Sequence, residues 1–261
     1  MHHHSQPAKG IIVPSRSLAL TGRLVHIWPV RIEPSNAMTE QLESILAPDE
    51  KARAARFRFE HLRHSFILAH GALRVLLGCY LDVPPASIQF QYGPKGKPSL
   101  GAPAHVNFNA SHSGGLVVFA FTRDCELGVD VEQIRPLPDM QDIAARFFCP
   151  EEAEELMSLP TDQRKQAFFL CWTRKEAYVK AIGDGLSVAL DSFQVTLRPG
   201  EPANFVHLAR DVNAAKAWAL HDLQLNSNYA AAVAYCDIQR PLHVLPPIGP
   251  ADLLALGNLG T

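Results

Sequence analysis

Gly128-Val129-Asp130-Val131-Glu132 reads as a strand, and Trp172-Thr173-Arg174-Lys175-Glu176-Ala177-Tyr178-Val179-Lys180 reads as a buried helix. Val129 and Val131 face inward, so Asp130 and Glu132 share the opposite face, roughly 6–7 Å apart at about 3.3 Å per residue. On the helix Glu176 and Lys180 lie four apart on one side, one turn beyond Trp172. Phe168, Phe169 and Leu170 make the start of this helix apolar, and a polar stripe on a buried helix needs a partner. Three acids and a lysine that converge suit a hard divalent cation with oxygen ligands and a phosphate-bearing substrate. Taken singly, each motif has a plainer reading, as solvated strand carboxylates or as a surface pair worth about 0.2–0.5 kcal/mol.

Residues 1–20 read as a flexible leader. The strand Leu24-Val25-His26-Ile27-Trp28 ends at Pro29, and Thr39–Leu46 suggests a short helix interrupted by Pro48. From Asp49 to Gly78 the pattern is helical and basic, with Arg53, Arg56, Arg58, Arg63 and Arg74 among apolar positions. Ser87–Phe90 reads as a strand and Gly93–Pro98 as a turn-rich loop. Val106–Asn109 and Leu116–Phe121 form a strand pair joined through Ser111-His112-Ser113-Gly114-Gly115. The order then repeats: a strand at 127–132, a helical region to about Ile182, Ser192-Phe193-Gln194-Val195 echoing Ser87-Ile88-Gln89-Phe90, and strands near 216–221 and 229–235. The expected fold is α/β (α+β), with two pseudo-symmetric halves at 21–123 and 124–240. Each is a small, mainly antiparallel sheet packed on helices, and an irregular tail follows at 241–261, with a helical turn at Ala251–Leu256. His26 and Trp28 stand where the second half has Asp130 and Glu132, so one metal site per chain is expected, near the seam.

Composition sets limits. With 261 residues, 47% hydrophobic, 19% charged and a formal net charge of −2, the chain offers no bulk electrostatic case for a nucleic-acid or membrane partner. No apolar run approaching the ~20 residues of a spanning helix is expected, and no secretory signal pattern opens the chain. Met1-His2-His3-His4 is a tag remnant or a natural His run and stays outside the fold argument. Cys79, Cys125, Cys149, Cys171 and Cys236 form no C-x-x-C pair and read as free thiols of a reducing, cytoplasmic protein.

Asn107-Phe108-Asn109-Ala110-Ser111-His112-Ser113-Gly114-Gly115 is a third constellation. As a loop it would present backbone N–H groups and side-chain donors to a phosphate; its plainer reading is a hairpin turn with an incidental histidine. Gly96-Lys97-Pro98 and the basic stretch around Arg53, Arg56 and Arg63 are weaker signals, relevant as a wall for a polyanion.

Together these motifs resemble the 4′-phosphopantetheinyl transferases, of the larger surfactin-synthetase-activating type. Gly96-Lys97-Pro98, Phe108–Ser113, Gly128–Glu132 and Trp172–Lys180 fall in the family's order, and Arg146-Phe147-Phe148 with Glu151 and Glu152 fits between them. The resemblance runs from about Leu24 to Tyr235. It implies two pseudo-twofold halves with coenzyme A between them, and transfer of phosphopantetheine to a serine of an apo carrier protein with release of 3′,5′-ADP. It further implies Asp130, Glu132 and Glu176 as ligands of Mg2+, or of Mn2+ in its place. Lys180 would contact the coenzyme phosphates, Ser111 and His112 the adenosine-side phosphates (His112 the 3′-phosphate), and Lys97, Arg53 and Arg63 the same pocket. Glu50 departs from the basic pattern of that wall. In such a site Lys180 and the metal would neutralise the breaking diphosphate, and Glu176 is the first choice of base for the serine, Glu132 the second.

An acidic carrier would dock on an apolar patch with a basic rim; Phe147–Leu170 is the candidate, with Phe147, Phe148, Leu156 and Met157 beside Arg164 and Lys165. The competing readings are a catalytically idle regulator that binds coenzyme A or a carrier, and an unrelated Mg2+-dependent phosphohydrolase. Two covalently joined halves favour a monomer.

Overall fold

The computed structural model describes residues 20, 23–32, 36–93, 96–101, 105–183, 188–208 and 214–257; the His run and nearly all of the expected leader lie outside them. The chain begins β1 (Val25–Arg31), α1 (Asn36–Ser44), α2 (Pro48–Ala54), α3 (Glu60–Leu81), β2 (Phe90–Tyr92), β3 (Pro98–Leu100), β4 (Val106–Ser113) and β5 (Leu116–Arg123). It continues with β6 (Leu127–Gln133), α4 (Met140–Phe147), α5 (Pro150–Ser158), α6 (Thr161–Ile182), β7 (Phe193–Val195) and β8 (Phe205–Leu208). Last come α7 (Ala214–Ala217), β9 (Trp218–Asp222), β10 (Tyr229–Cys236), β11 (Leu242–Val244) and α8 (Pro250–Gly257).

Alternation along the strands sorts these elements into layers. One sheet has the order β11-β1-β5-β4 and the other β6-β10-β9, with β2-β3 and β7-β8 as separate pairs. Every pairing is antiparallel except β1 with β11. Val25, Ile27, Val118 and Ala120 of the first sheet pack with Val129, Val131, Ala231 and Val233 of the second in one apolar cluster. The opposite face of the first sheet, through Val117, Phe119 and Phe121, shares a core with Leu76 and Leu77 of α3. Ala230, Ala232 and Ala234 of the second sheet likewise share one with Phe168, Phe169 and Ala177 of α6. The central strands are therefore apolar on both faces, and polar residues there stand out.

The two 22-residue helices α3 and α6 carry the same buried device. Arg74 of α3 donates to Glu50 Oε2 at 2.7 Å and to the carbonyls of Pro85 and Ile88. Lys175 of α6 pairs with Glu152 Oε2 at 2.7 Å and donates to the carbonyls of Leu190 and Phe193. In each case the acid is the third residue of a short helix and also accepts its N-cap N–H, from Ala47 and Cys149 respectively. All four side chains are buried, where a charge persists only with a partner.

Several local expectations change. The helical pattern of 49–78 breaks between α2 and α3: a continuous helix would hold Glu50 roughly 36 Å from Arg74 at 1.5 Å per residue, and their buried ion pair requires the chain to fold back. Strand β1 passes through Pro29, whose missing N–H is tolerated because pairing with β11 ends at Ile27. Pro85–Ser87 is a 3-10 turn, and the strand starts at Phe90. Ser111–Ser113 belongs to β4 rather than to a loop, because Gly114 and Gly115, with φ of 54° and 81°, make a two-residue hairpin turn. The tail expected to be irregular adds β11 to the first sheet and packs α8 on α3, with Ile248, Leu253 and Leu256 in that core. Against expectation, Glu60–Leu81 is long and apolar enough to cross a membrane by length and composition, yet its apolar positions form the core of the first half. The five cysteines are free, and Cys125 Sγ lies 2.8 Å from Cys236 Sγ.

Candidate active site

Gly128 brings the two motifs together. A Cβ at this position would meet the Ala177 carbonyl at 2.2 Å and the Ala181 nitrogen at 2.3 Å, so only glycine lets α6 lie this close on β6. Val129 and Val131 turn to the other sheet, which leaves Asp130 and Glu132 on the face that α6 covers.

From the other side, β4 zips onto β6 through side chains. The Val129 N–H donates to Asn109 Oδ1 (2.9 Å), Val131 N–H to Ser111 Oγ (3.3 Å) and Gln133 N–H to Ser113 Oγ (3.1 Å). The same hydroxyls donate onward, Ser111 to Asp130 Oδ1 at 2.8 Å and Ser113 to Glu132 Oε2 at 2.9 Å. Residues two apart on one strand thus satisfy the unpaired edge of another and fix both carboxylates.

The outcome is a cavity of about 390 Å3 lined by Ala110, Ser111, His112, Asp130, Glu132, Trp172, Glu176 and Lys180. Lys180 Nζ donates to Asp130 Oδ1 at 2.6 Å and to Ser111 Oγ at 2.9 Å. Burial, then the charge of Asp130, and more weakly that of Glu132, push the Glu176 carboxyl above its ordinary value, with Lys180 opposing. Asp130 Oδ2 is buried and has no hydrogen-bond partner among the described residues, which leaves an acceptor free for a cation or a donor on a ligand. Among the described residues no group of three His, Cys, Asp or Glu side chains is gathered closely enough to hold a metal ion as it stands. Three carboxylates repel one another, and Lys180 occupies one Asp130 oxygen.

Asp130, Glu132, Glu176 and Lys180 therefore meet, as their spacing suggested, and Ser111 and His112, which the resemblance had added, line the same cavity. The remaining coenzyme-pocket residues do not line this cavity. Arg63 pairs with Glu43 at 2.7 Å, Arg53 lies over the Phe66 ring, and Lys97 donates to the Lys180 and Ala181 carbonyls. Glu50 is the buried partner of Arg74, which explains an acid amid basic neighbours. Backbone N–H groups of 111–113 belong to a strand, so the phosphate-loop reading of that stretch gives way to one based on side chains. Asn109 carried no assigned role, and Ser113, expected as a phosphate donor, instead joins β6; the alternation Asn109, Ser111, Ser113 was the signal for an edge-binding strand. In the docking candidate Phe148 and Leu156 are core residues, 3% and 0% exposed, while Phe147, Met157 and Leu170 are half-buried.

The cavity is acidic on the strand side and carries a lysine and a desolvated carboxyl on the helix side. Residues 126–234 match the profile of the 4′-phosphopantetheinyl transferase superfamily, and residues 31–123 match that of the 4′-phosphopantetheinyl transferase N-terminal family. The chain is 40% identical over 221 residues to the 4′-phosphopantetheinyl transferase HetI of Nostoc sp., an alignment covering 84% of this chain and 90% of that protein. It is 31% identical over 163 residues to the 4′-phosphopantetheinyl transferase Sfp of Bacillus subtilis, covering 62% and 71% respectively. A holo-[acyl-carrier-protein] synthase from Thermotoga maritima overlaps 43% of this chain and 62% of its own, at 19% identity and a TM-score of 0.35, a partial likeness only. This chain belongs to the 4′-phosphopantetheinyl transferase family and is an enzyme of that class.

Proposed function

We propose that the cavity transfers the 4′-phosphopantetheine group of coenzyme A to a serine of an apo carrier protein and releases 3′,5′-ADP. The observation that carries the reading is the junction of Lys180, Asp130 and Ser111 at 2.6–2.9 Å in the same cavity as Glu176. The serine oxygen attacks the phosphorus on the pantetheine side of the diphosphate, and the bond to the departing 3′,5′-ADP oxygen breaks. Glu176 takes the serine proton, a task suited to a carboxyl held above its ordinary value by burial. Glu132, fixed by Ser113, is the second choice. Lys180 orients the diphosphate and offsets its charge, and His112 faces the same opening for the adenosine-side phosphates.

Mg2+, or Mn2+ in its place, is assigned to Asp130, Glu132 and Glu176, which line one cavity but would have to close up to hold it; it would supply neutralisation of diphosphate charge. The unpartnered Asp130 oxygen and the three carboxylates that line the cavity support this assignment, and magnesium needs only one or two protein carboxylates beside water and substrate phosphate. The two halves, 21–123 and 124–240, are proposed as repeats of one unit, a reading supported by the matched Arg74–Glu50 and Lys175–Glu152 clasps. A cytoplasmic, monomeric enzyme is proposed as well, since free cysteines suit a reducing compartment.

Incubation with coenzyme A, Mg2+ and an apo acyl carrier protein tests the function by intact mass. The expected result is one phosphopantetheine added per carrier, suppressed by chelator and restored by Mg2+. Cleavage of coenzyme A without carrier modification would favour the phosphohydrolase, and neither reaction would favour the idle binder.

A further inference from the structure

Lys97 sits in the Gly96-Lys97-Pro98 turn, outside the cavity, and its ammonium is anchored in protein. It donates to the Lys180 carbonyl at 2.5 Å and to the Ala181 carbonyl at 3.3 Å. These are last-turn carbonyls of α6, which lack partners within the helix and face its negative dipole end. The turn is shaped for this reach. Gly96 has φ of 80°, the N–H groups of Gly93 and Gly96 close it onto Lys97 and Gly93, and Pro98 starts β3. The side chain runs alongside Gly183, where a Cβ would stand 3.8 Å from both Lys97 Cδ and Nζ. Burial lowers the ammonium below its ordinary value, consistent with a group removed from solvent and committed to fixed carbonyls.

Lys180 is thus gripped twice. Its side chain meets Asp130 and Ser111, and its own carbonyl meets Lys97 from the other half of the chain. We infer that Lys97 is a positioning residue, a cross-half clamp that fixes the last turn of α6 so that Lys180 stays aimed at Asp130. The clamp's consequence for catalysis rests on the function proposed above, whereas its structural part does not.

Lys97→Met removes the donor at similar volume, and Lys97→Arg keeps one. Two readouts apply: amide hydrogen exchange along α6, and kinetics with coenzyme A and with 3′-dephospho-coenzyme A on one apo acyl carrier protein. The expected result for Lys97→Met is faster exchange confined to the last turn of α6 and a kcat lowered on the order of ten-fold with both donors alike, since small misplacements are costly. KM should change less than about two-fold and Lys97→Arg should recover most of kcat, the pattern of an interaction felt in the transition state. Unchanged exchange in Lys97→Met would overturn the clamp whether or not the enzyme turns over. A loss confined to KM for coenzyme A, and absent with the 3′-dephospho donor, would overturn it in favour of a direct 3′-phosphate contact. No transfer by the wild-type enzyme would refute the proposed function, and the exchange readout would still decide the clamp.

Discussion

At the scale of single residues, Glu176 exposes the conflict between stability and chemistry. Its carboxyl is raised by burial and by neighbouring acids, so the folded state binds its proton more tightly than the unfolded state does. Its contribution to stability is favourable in acid and is lost as pH rises from the ordinary value near 4.5 through the folded one. Glu176→Gln is therefore expected to raise the thermal midpoint at neutral pH in chelator while lowering kcat by about 100-fold or more, the scale of a lost general base. Calorimetry and carrier-modification rates check the two halves of that statement. Asp130, Glu132, Glu176 and Lys180 were legible because the periods of strand and helix place them on single faces. Lys97 was legible as part of the Gly96-Lys97-Pro98 motif and as a basic wall of the coenzyme pocket; its observed partners are backbone carbonyls, which every residue has and no sequence pattern marks.

At the scale of elements, the paired clasps explain why α3 and α6 hold a fixed rotation on their sheets. Burial tends to raise the Glu50 carboxyl, but hydrogen bonds from His70, the Ala47 N–H and Arg74, with the charge of Arg74, hold it below its ordinary value. Glu50 thus contributes stability that is complete above about pH 4.5 and is lost as pH falls through its folded value. Arg74→Met should cost about 3–5 kcal/mol in urea unfolding at neutral pH, because it strands a buried carboxylate. The penalty should shrink in acid, where Glu50 is protonated; a pH-independent penalty would mean that lost packing dominates. Long periodic segments such as α6 were readable from sequence. The break after α2 was not, since it follows from a charge pair between distant positions rather than from any breaker residue at 55–59.

At the scale of the whole molecule, the two sheets meet through an apolar layer and through the side-chain zip between β4 and β6, and the cavity opens at that zip. The return of β11 and α8 to the first sheet and its helix α3 was not legible in the chain, because a three-residue strand and one short helix carry too little pattern. For docking, half-buried Phe147, Met157 and Leu170 with the nearby Arg164 and Lys165 remain the proposed surface. Arg164→Glu with Lys165→Glu should weaken binding of an acidic apo carrier at least ten-fold at low salt, with less effect at high salt where charges are screened. Titration at two ionic strengths tests this, and unchanged affinity would remove the surface from consideration.

One buried carboxylate, Asp130, anchors Lys180 and keeps an oxygen free. Asp130→Asn preserves its shape and removes its charge, so the direct measurement is the mass of an apo acyl carrier protein after incubation with coenzyme A, Mg2+ and either enzyme. Wild type should add phosphopantetheine, and folded Asp130→Asn should add none within many wild-type turnovers. A folded Asp130→Asn enzyme that modifies the carrier at close to the wild-type rate would contradict a role for the Asp130 carboxylate in the transfer.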